Sequence, residues 1–391
     1  MRVAVVAASL DILGGQGVQA QALVRSLRED GVDATFIPIN PRFPLGARWI
    51  RRVRYARTVL NELLYVPGLS RLALYDVVHV FSASYGSFLL APLPAMLAAR
   101  LFNKRVVLHY HSGEAEDHLA TWGALVHPWL KLADEIVVPS VYLRDVFAKF
   151  GYRARVIPNV VNLDVFDYRE RRPLRPRLLS TRNLEKYYRV DVIIEAFARY
   201  RAICPDATLT IAGYGSEEPR LRAMAAQLTG GGVRFLGKVS PDWMPKLYAD
   251  SDIYLNASEV DNQPISILEA FASGLPVIST PAGDIRSMVR HGETGLVVPP
   301  EAPLAMARAI SETLNRPERA LQMAEQAHSE LERYTWAAVR DAWRAAYTGS
   351  RFKVLGSGVP VQGSAFAGPE RRAKSRAPSE PSTQHPAPRT T

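Results

Sequence analysis

The chain has little cysteine and no long apolar run. Its 391 residues include a single cysteine, Cys204, so no disulfide can form within the chain, which is typical of a reducing compartment. No stretch of about 18 consecutive apolar residues occurs, and this predicts the absence of a membrane-spanning helix. The apolar start, Val3–Ala8, is short and leads into a glycine-rich turn, which is typical of a first strand rather than a signal peptide. We therefore expect a cytoplasmic protein.

Length and charge indicate a globular protein of two domains. Domains usually contain about 100–200 residues, and 48% of this chain is apolar while 22% is charged, as in proteins with large cores. The formal net charge is +10, and half of it lies in residues 351–391, which contain seven basic and two acidic residues. This segment is rich in proline, serine, glycine and alanine, which predicts a disordered basic tail. The modest charge of the remainder predicts no nucleic-acid partner.

Short β-branched segments alternate with helical patterns along residues 1–334. This alternation predicts an α/β protein with parallel sheets covered by helices on both faces. Residues 167–176 are charged and punctuated by proline, so we place the linker there and predict domains over 1–162 and 163–334. Two doubly wound domains that face each other leave a cleft, and their ligands bind at the carboxyl ends of the strands.

The first strand is followed by a loop that contains Gly14, Gly15 and Gly17. Glycines allow the backbone to approach a phosphate or sugar closely, and the following helix offers free N–H groups, so we expect Gly14 and Gly15 to bind ligand. The spacing from Gly15 to Ala20 also matches the dinucleotide fingerprint. The acid required about 20 residues further on is missing, because Asn40 occupies that place, which disfavours NAD. A turn needed only for packing is the alternative.

The stretch 256–280 carries two acids around the start of a predicted helix. Asp261 lies in the loop before this helix, Pro264 stands near its first residue, and Glu269 follows about a turn and a half inside it. Both carboxylates can therefore face one pocket, where they would accept hydrogen bonds from a hydroxyl-rich ligand. The alternative is an acid that caps the helix together with a solvated glutamate.

This stretch resembles the motif of glycosyltransferase family 4, in which two acids separated by seven residues precede Ala-x-Ala-x-Gly-x-Pro-Val. The resemblance covers roughly residues 1–348 and is strongest in the second domain. It implies a retaining GT-B enzyme whose first domain binds the acceptor, whose second domain binds a nucleotide-sugar donor, and whose helix over 335–348 crosses back to the first domain. It implies that Glu269 binds the ribose and that the residues from Asp261 to Pro264 bind the donor sugar, namely Asp261, Asn262, Gln263 and Pro264. Many members have Glu-Gly-Phe-Gly where this chain has Asp-Asn-Gln-Pro.

The same resemblance assigns further residues. Arg182 and Lys186 would neutralise the departing diphosphate, so that no metal or other cofactor is needed. Gly213 belongs to a glycine turn that would line the nucleotide pocket, and the segment with Leu236 and Val239 would hold the base. His111 would lie near the donor sugar.

The histidines around His111 also have other interpretations. His109 lies inside a strand pattern and is expected in the core. A metal site formed by His109, His111 and His118 is an alternative that lacks a tetrahedral ligand set.

Residues 42–64 predict a basic amphipathic helix. Six arginines precede the first acid, Glu62, while seven apolar residues share one face at helical spacing: Trp49, Ile50, Val53, Ala56, Leu60, Leu63 and Leu64. Such a helix is typical of a membrane surface, which makes Trp49, Arg51, Arg52 and Arg54 candidates for membrane or acceptor contact. The alternative is a core helix with a solvated outer face.

Together these patterns predict a glycosyltransferase of the hexosyltransferase type. It would move a sugar from a nucleoside diphosphate sugar to a hydroxyl of a sugar or lipid-linked acceptor, with retention, in polysaccharide, glycolipid or cell-envelope synthesis. Peripheral contact with an anionic membrane on its inner face would fit the basic helix. A sugar-nucleotide epimerase of the same fold and a non-catalytic membrane-associated scaffold are the alternatives.

Overall fold

The computed structural model describes residues 1–9, 15–44, 46, 49–50, 53–82 and 84–349. Its first sheet is parallel throughout, in the order β2-β1-β3-β4-β5-β6. The six strands are β1 (Arg2–Ala7), β2 (Asp33–Pro38), β3 (Val77–Ser82), β4 (Arg105–Tyr110), β5 (Glu135–Val138) and β6 (Arg155–Val156). β1, β3 and β4 are almost wholly apolar and buried, as expected when helices cover both faces of a sheet.

The second sheet is also parallel, in the order β12-β11-β10-β7-β8-β9. Its strands are β7 (Arg177–Ser180), β8 (Thr208–Ala212), β9 (Val233–Gly237), β10 (Ile253–Leu255), β11 (Val277–Ser279) and β12 (Leu296–Val297). The strand order reverses between β7 and β10, and ligands of such sheets bind where the order reverses. The loops that follow β7 and β10 therefore occupy the position at which a ligand is expected.

Helices connect the strands of both sheets. Those of the first half are α1 (Gly15–Glu29), α2 (Arg54–Gly68), α3 (Gly86–Leu90), α4 (Pro92–Leu101), α5 (Ala115–Thr121), α6 (Gly123–Leu130) and α7 (Val141–Lys149). Those of the second half are α8 (Val190–Arg201), α9 (Glu218–Thr229), α10 (Met244–Ala249), α11 (Ile265–Ala272), α12 (Ile285–Met288), α13 (Pro303–Asn315) and α14 (Pro317–Ser329). In the part of the chain that the structure describes, no helix is long and apolar enough to cross a membrane.

The last helix, α15 (Trp336–Thr348), returns to the first sheet. Val339, Trp343 and Tyr347 are buried in the same apolar cluster as residues of β1 and β3. The Tyr347 hydroxyl also lies 2.9 Å from Nδ1 of His79. The predicted fold class, two doubly wound α/β halves with a C-terminal crossover helix, is confirmed. The predicted domain boundaries stay predictions, and the tail over 351–391 lies outside the described residues.

Residues 167–176, the charged segment between the two sheets, are mostly exposed, but one of their arginines is buried. Arg171 is fully buried and donates hydrogen bonds to four backbone carbonyls, those of Tyr248, Ser251, Arg169 and Ser273. Burial lowers the pKa of Arg171 to about 9. Composition did not reveal this role because the partners are carbonyl groups, and Tyr248, Ser251 and Ser273 lie more than 70 residues away along the chain.

α2 differs from the predicted amphipathic helix in where it begins and in which face is apolar. It begins at Arg54, and its inner face carries polar anchors: Asn61 Nδ2 donates to the carbonyl of Ile39 at 2.9 Å, and the Tyr65 hydroxyl donates to the carbonyl of Ala91 at 2.8 Å. Its outer face exposes four large apolar or aromatic side chains, Tyr55, Val59, Leu63 and Val66.

The predicted single apolar face is therefore wrong, because Leu63 is exposed while Leu60 and Leu64 are half-buried. Trp49, in the segment before the helix, is also exposed. Arg51, Arg52 and the side chain of Arg54 lie outside the described residues.

Candidate active site

An arginine and an aspartate meet where the second sheet reverses its strand order. Arg182 follows β7 and Asp261 follows β10, so neighbouring parallel strands deliver both side chains to one edge of the sheet. Arg182 Nη2 lies 2.6 Å from Asp261 Oδ2, and Arg182 Nη1 donates to Ser266 Oγ at 3.2 Å. Only 10% of either charged side chain is exposed. Burial lowers the pKa of Arg182, but the charge of Asp261 together with the surrounding tyrosine hydroxyls outweighs it, so the net shift of this pKa is upward.

Glu269 lies on the same edge, inside α11. It stands three residues after Ser266, which places both side chains on one face of the helix. The Tyr248 hydroxyl donates to Glu269 Oε2 at 2.8 Å. Burial raises the pKa of Glu269 to about 7, although the Tyr248 hydrogen bond and the Arg182 charge act in the opposite direction. Near neutral pH this carboxyl group can therefore either accept or donate a hydrogen bond.

Arg182, Ser266 and Glu269 line a cavity of about 180 Å³. Both halves contribute to its wall, the first half through the start of α1. The other lining residues are Gly15, Val18, Thr181, Asn183, Tyr188, Ala212, Gly213, Tyr214, Lys238, Val239, Pro241, Met244 and Ile265. Arg182 and Lys238 are the cations among the described lining residues, so the cavity combines positive charge with an apolar wall. This combination suits a ligand with an anionic part and a flat or apolar part.

Three glycines allow the backbone of this site to pack closely. A Cβ atom at Gly213 would collide with the carbonyl oxygen of Arg182, so the turn after β8 sets the backbone that carries the arginine. The carbonyl of Asp261 is enclosed between Gly113 of the first half and Gly283 of the second, and a Cβ at Gly113 would lie 2.7 Å from it. Larger residues at these positions would displace the two charged groups.

The two amides after Asp261 bind the first half of the molecule. Ser140 Oγ donates to Asn262 Oδ1 at 2.5 Å. The backbone N–H of Asn159 donates to Gln263 Oε1 at 2.6 Å, and Asn159 Nδ2 donates to the carbonyl of Gln263 at 2.8 Å. Asn262 and Gln263 are buried, and these hydrogen bonds hold the Asp261 loop against the first sheet.

The first half presents histidines at the carboxyl end of β4. His79 Nε2 lies 3.2 Å from His109 Nδ1, and the rings of His109 and His111 are 4.0 Å apart. Burial lowers the pKa of both His79 and His111 to about 3, and that of His109 well below its usual value. The three imidazoles are therefore neutral at physiological pH.

His111 and His118 do not converge on one point with His109. His118 Nδ1 instead lies 2.7 Å from the Tyr110 hydroxyl. Among the described residues no group of three or more His, Cys, Asp or Glu side chains could hold a metal ion. His109 is 4% exposed, in agreement with its predicted core position.

Two family models match the chain in consecutive segments. The model described as Glycosyl transferases group 1 matches residues 168–330, and the model described as Glycosyltransferase Family 4 matches residues 13–165. The chain belongs to the group 1 glycosyltransferases. The predicted family is thereby confirmed, as is the prediction that the protein is a transferase enzyme.

Similar proteins agree with this family. The glycosyltransferase is 27% identical to phosphatidyl-myo-inositol mannosyltransferase from Mycobacterium leprae over 297 residues, which cover 74% of this chain and 76% of that protein. The sucrose-phosphate synthase of Thermosynechococcus elongatus has a similar fold, with a TM-score of 0.70, 18% identity and coverage of 90% and 100%. Anabaena HepE in complex with UDP-glucose gives a TM-score of 0.67 at 16% identity and coverage of 89% and 100%. The two sheets and these neighbours identify the GT-B fold.

The structure brings part of the predicted site of the glycosyltransferase to the cavity. The predicted residues that line it are Gly15, Arg182, Gly213, Val239 and Glu269. Asp261 forms an ion pair with the lining residue Arg182. Asp261 itself does not line the cavity, and neither do six other predicted residues, namely His111, Lys186, Leu236, Asn262, Gln263 and Pro264. Lys186 in particular is exposed. Gly14 lies outside the described residues. The ligand-binding roles assigned to all these residues stay predictions.

Some residues of the site were not predicted from the sequence. Ser266 could have been found from its spacing of three residues before Glu269 on one helix. Tyr188 gave no such signal, because the turn that carries it decides the direction of its side chain. Tyr248, which donates to Glu269, gave no local signal, because its contact with the site depends on how α10 packs against α11.

Proposed function

We propose that the enzyme transfers a sugar from a nucleoside diphosphate sugar to an acceptor hydroxyl with retention of configuration. The observation that carries the proposal is the cavity at the strand-order reversal, where the cation Arg182 and the carboxyl group Glu269 share one wall. A nucleotide sugar offers the matching groups, a diphosphate for the arginine and ribose hydroxyls for the carboxylate. The neighbour HepE was solved with UDP-glucose, which supports this donor class by similarity of fold.

In this proposal Arg182 stabilises the leaving group. The bond between the sugar and the diphosphate breaks while negative charge grows on the diphosphate, and a fixed guanidinium in a site of low dielectric constant lowers the energy of that charge. A new bond forms between the same carbon and the acceptor oxygen, and the acceptor proton passes to the departing phosphate oxygen. Glu269 holds the ribose, while Asp261 and His111 orient the sugar.

Attack on the same face as departure is favoured over a covalent intermediate. Both oxygens of Asp261 already have partners, Oδ2 in the ion pair with Arg182 and Oδ1 with the backbone N–H of Asn262 at 3.0 Å. A carboxylate engaged in this way is a poor nucleophile. Retention therefore follows from delivery of the acceptor on the leaving-group side.

Thermal unfolding with UDP, GDP, ADP, CMP and NAD tests the donor site. A ligand at 100 times its dissociation constant stabilises the folded state by about 2.7 kcal/mol. We expect a shift with one nucleoside diphosphate, and its loss in Glu269→Ala but not in Glu325→Ala, an exposed glutamate on α14. A shift with NAD alone, or none at all, contradicts the proposal. Conversion of the matching nucleotide sugar without any acceptor would instead favour an epimerase.

The acceptor is proposed to lie at an anionic membrane surface. The outer face of α2 exposes Tyr55, Val59, Leu63 and Val66, and exposed apolar patches of this kind mark interaction sites. The arginines of the segment 42–57 carry the charge opposite to that of anionic lipid headgroups. The printed name of the mycobacterial relative, a phosphatidyl-myo-inositol mannosyltransferase, supports a lipid-linked acceptor by similarity.

Co-sedimentation with vesicles tests the membrane contact. We expect binding to vesicles of phosphatidylglycerol and phosphatidylcholine mixed in equal parts, and little binding to phosphatidylcholine alone. The double variant Val59→Glu, Leu63→Glu should lose this binding. Leu304→Glu, at an exposed leucine of α13, is the matched control. Equal binding of the double variant and the wild type would remove α2 from the proposal.

A further inference from the structure

The predicted cation pair of the donor site is not the pair that the structure brings together. Lys186 and Tyr188 are the first and last residues of a single turn of 3-10 helix, Lys186–Tyr188. In such a turn successive residues are about 120° apart, so residues two positions apart point in different directions. Lys186 faces solvent, whereas Tyr188 turns inward and lines the cavity beside Arg182.

Arg182 and Tyr188 are stacked. The guanidinium carbon of Arg182 lies 4.1 Å from the centroid of the Tyr188 ring. The edge of the same guanidinium is bound by Asp261 and Ser266, so the face and the edge of this planar group are both held. Of the four rotatable bonds of the arginine side chain, few remain free under these restraints. Burial raises the pKa of Tyr188 and keeps its hydroxyl neutral.

The backbone after the turn supports this arrangement. Arg189 has a φ of +49°, a left-handed conformation that is uncommon for residues other than glycine. Its side chain pairs with Asp191 at 3.2 Å and also with Glu259 and Glu301. These ion pairs anchor the backbone at the residue that follows Tyr188.

We propose that Tyr188 is the positioning residue for Arg182, so that a stacked arginine–tyrosine pair takes the place that the sequence assigned to Arg182 and Lys186. The aromatic ring fixes the guanidinium plane toward the anionic part of the nucleotide. Lys186 contributes no contact to bound nucleotide. The inference rests on the proposed nucleotide site.

The test is the dissociation constant of the nucleoside diphosphate selected by the thermal panel, measured by calorimetry. Tyr188→Leu should weaken binding about 5- to 30-fold, the scale of one desolvated cation–π contact. Tyr188→Phe keeps the ring and should stay within about twofold of the wild type, as should Lys186→Met. Phe235→Leu is the matched control. It removes a similar contact, in which the guanidinium carbon of Arg222 lies 4.7 Å from the centroid of the Phe235 ring, and Phe235 does not line the cavity.

A double-mutant cycle separates positioning from general packing. Lysine lacks a planar guanidinium, so in an Arg182→Lys background the change Tyr188→Leu should have almost no further effect on the dissociation constant. If Tyr188→Leu does not fold, as judged by thermal unfolding without ligand, Tyr188→Met replaces it in both backgrounds.

Three outcomes overturn the inference while leaving the proposed function intact. They are wild-type affinity in Tyr188→Leu, an equal loss in Tyr188→Phe, and a tenfold loss in Lys186→Met. Failure of the wild type to bind any nucleoside diphosphate overturns the proposed function and this inference together.

Discussion

The two halves of the molecule bury titratable groups in opposite ways. In the second half, aspartates and arginines with little exposed surface form ion pairs. Asp252 is fully buried between Arg177, at 2.5 Å, and Arg169, at 3.3 Å. Arg182 and Asp261 form an ion pair at the cavity. Burying a charge costs several kcal/mol, which only a counter-charge or several hydrogen bonds can offset.

In the first half the buried titratable groups are histidines and tyrosines, which can be buried in the neutral form. Within the described part of residues 1–156, the buried polar side chains include His79, His109 and His118 but no carboxylate, lysine or arginine. Burial lowers the pKa of these imidazoles, so they remain neutral and need no counter-charge.

The difference between the halves matches their proposed ligands. A diphosphate is stabilised by positive charges that are held in position before it binds. Acceptor hydroxyls can instead be bound by neutral groups that both donate and accept hydrogen bonds. The four predictions below test whether the second half depends on partnered charge and the first half on neutral imidazole.

The largest effect is expected at Arg171. Arg171→Met removes the donor of four buried carbonyls and should lower the free energy of unfolding by roughly 3–5 kcal/mol, because each unsatisfied buried acceptor costs about 1–3 kcal/mol. Urea denaturation measures it. Arg172→Met, at the exposed neighbour that pairs with Glu170 and Glu318, should lower the free energy of unfolding far less, because water screens exposed ion pairs. An equal decrease in the free energy of unfolding in both variants would show that the buried hydrogen bonds of Arg171 do not stabilise the fold.

The second largest effect is expected for Arg182→Ala, on the rate of sugar transfer. Removal of one electrostatic donor from an active site typically lowers turnover about 10²- to 10³-fold, and here Asp261 would also lose its counter-charge. The measurement is the initial rate with the nucleotide sugar selected by the thermal panel, together with thermal unfolding to confirm the fold. Arg172→Ala is the control. A loss of less than tenfold in Arg182→Ala would remove Arg182 from its proposed role.

The first half should lose stability as the pH falls. His79 and His111 have a pKa of about 3 in the folded state, against about 6.5 for an unfolded histidine. Between these values the unfolded chain binds protons that the folded chain does not, so the free energy of unfolding decreases below pH 6.5. One such histidine accounts for roughly 2 kcal/mol at pH 5.

Urea denaturation at pH 7 and pH 5 checks this prediction. His79→Gln should reduce the difference between the two pH values, whereas His291→Gln, at an exposed histidine, should leave it unchanged. A pH dependence as steep in His79→Gln as in the wild type would mean that the buried imidazole does not control it.

The smallest effect concerns nucleotide affinity. The pKa of Glu269 is about 7, so the ionised fraction in the free enzyme falls to about one tenth at pH 6. If the ionised form binds the ribose, the dissociation constant should rise by up to about tenfold between pH 8 and pH 6. Calorimetry with Glu269→Gln corrects for titration of the phosphate itself. Parallel pH profiles for the variant and the wild type would contradict the prediction.

Much of the fold could be predicted because its signals are local. β-branched segments and helical periodicity located both sheets, and the spacing between Asp261 and Glu269 placed both acids around one helix start. Arg182 was assigned from the family resemblance, at a position that directly follows a strand. Each of these inferences needs only neighbours within about ten residues.

The rest depends on contacts between distant residues. Lys186 was assigned from the family resemblance, whereas the direction of a single 3-10 turn decides that Tyr188 rather than Lys186 lines the cavity. The exposed face of α2 was misassigned because helical periodicity does not say which side meets the core. Asn61 and Tyr65 face inward because carbonyls of Ile39 and Ala91 are there to receive them.

The amino-acid order alone predicts the family, the alternation of strands and helices, and the residue types at each strand end. Which of those residues meet depends on the folded chain, since Arg182 and Asp261 are 79 positions apart and Asn159 and Gln263 are 104 apart. The reason is physical. Periodicity and turn chemistry act over a few residues, whereas ion pairing, desolvation and the resulting pKa of a group such as Glu269 depend on everything packed around it.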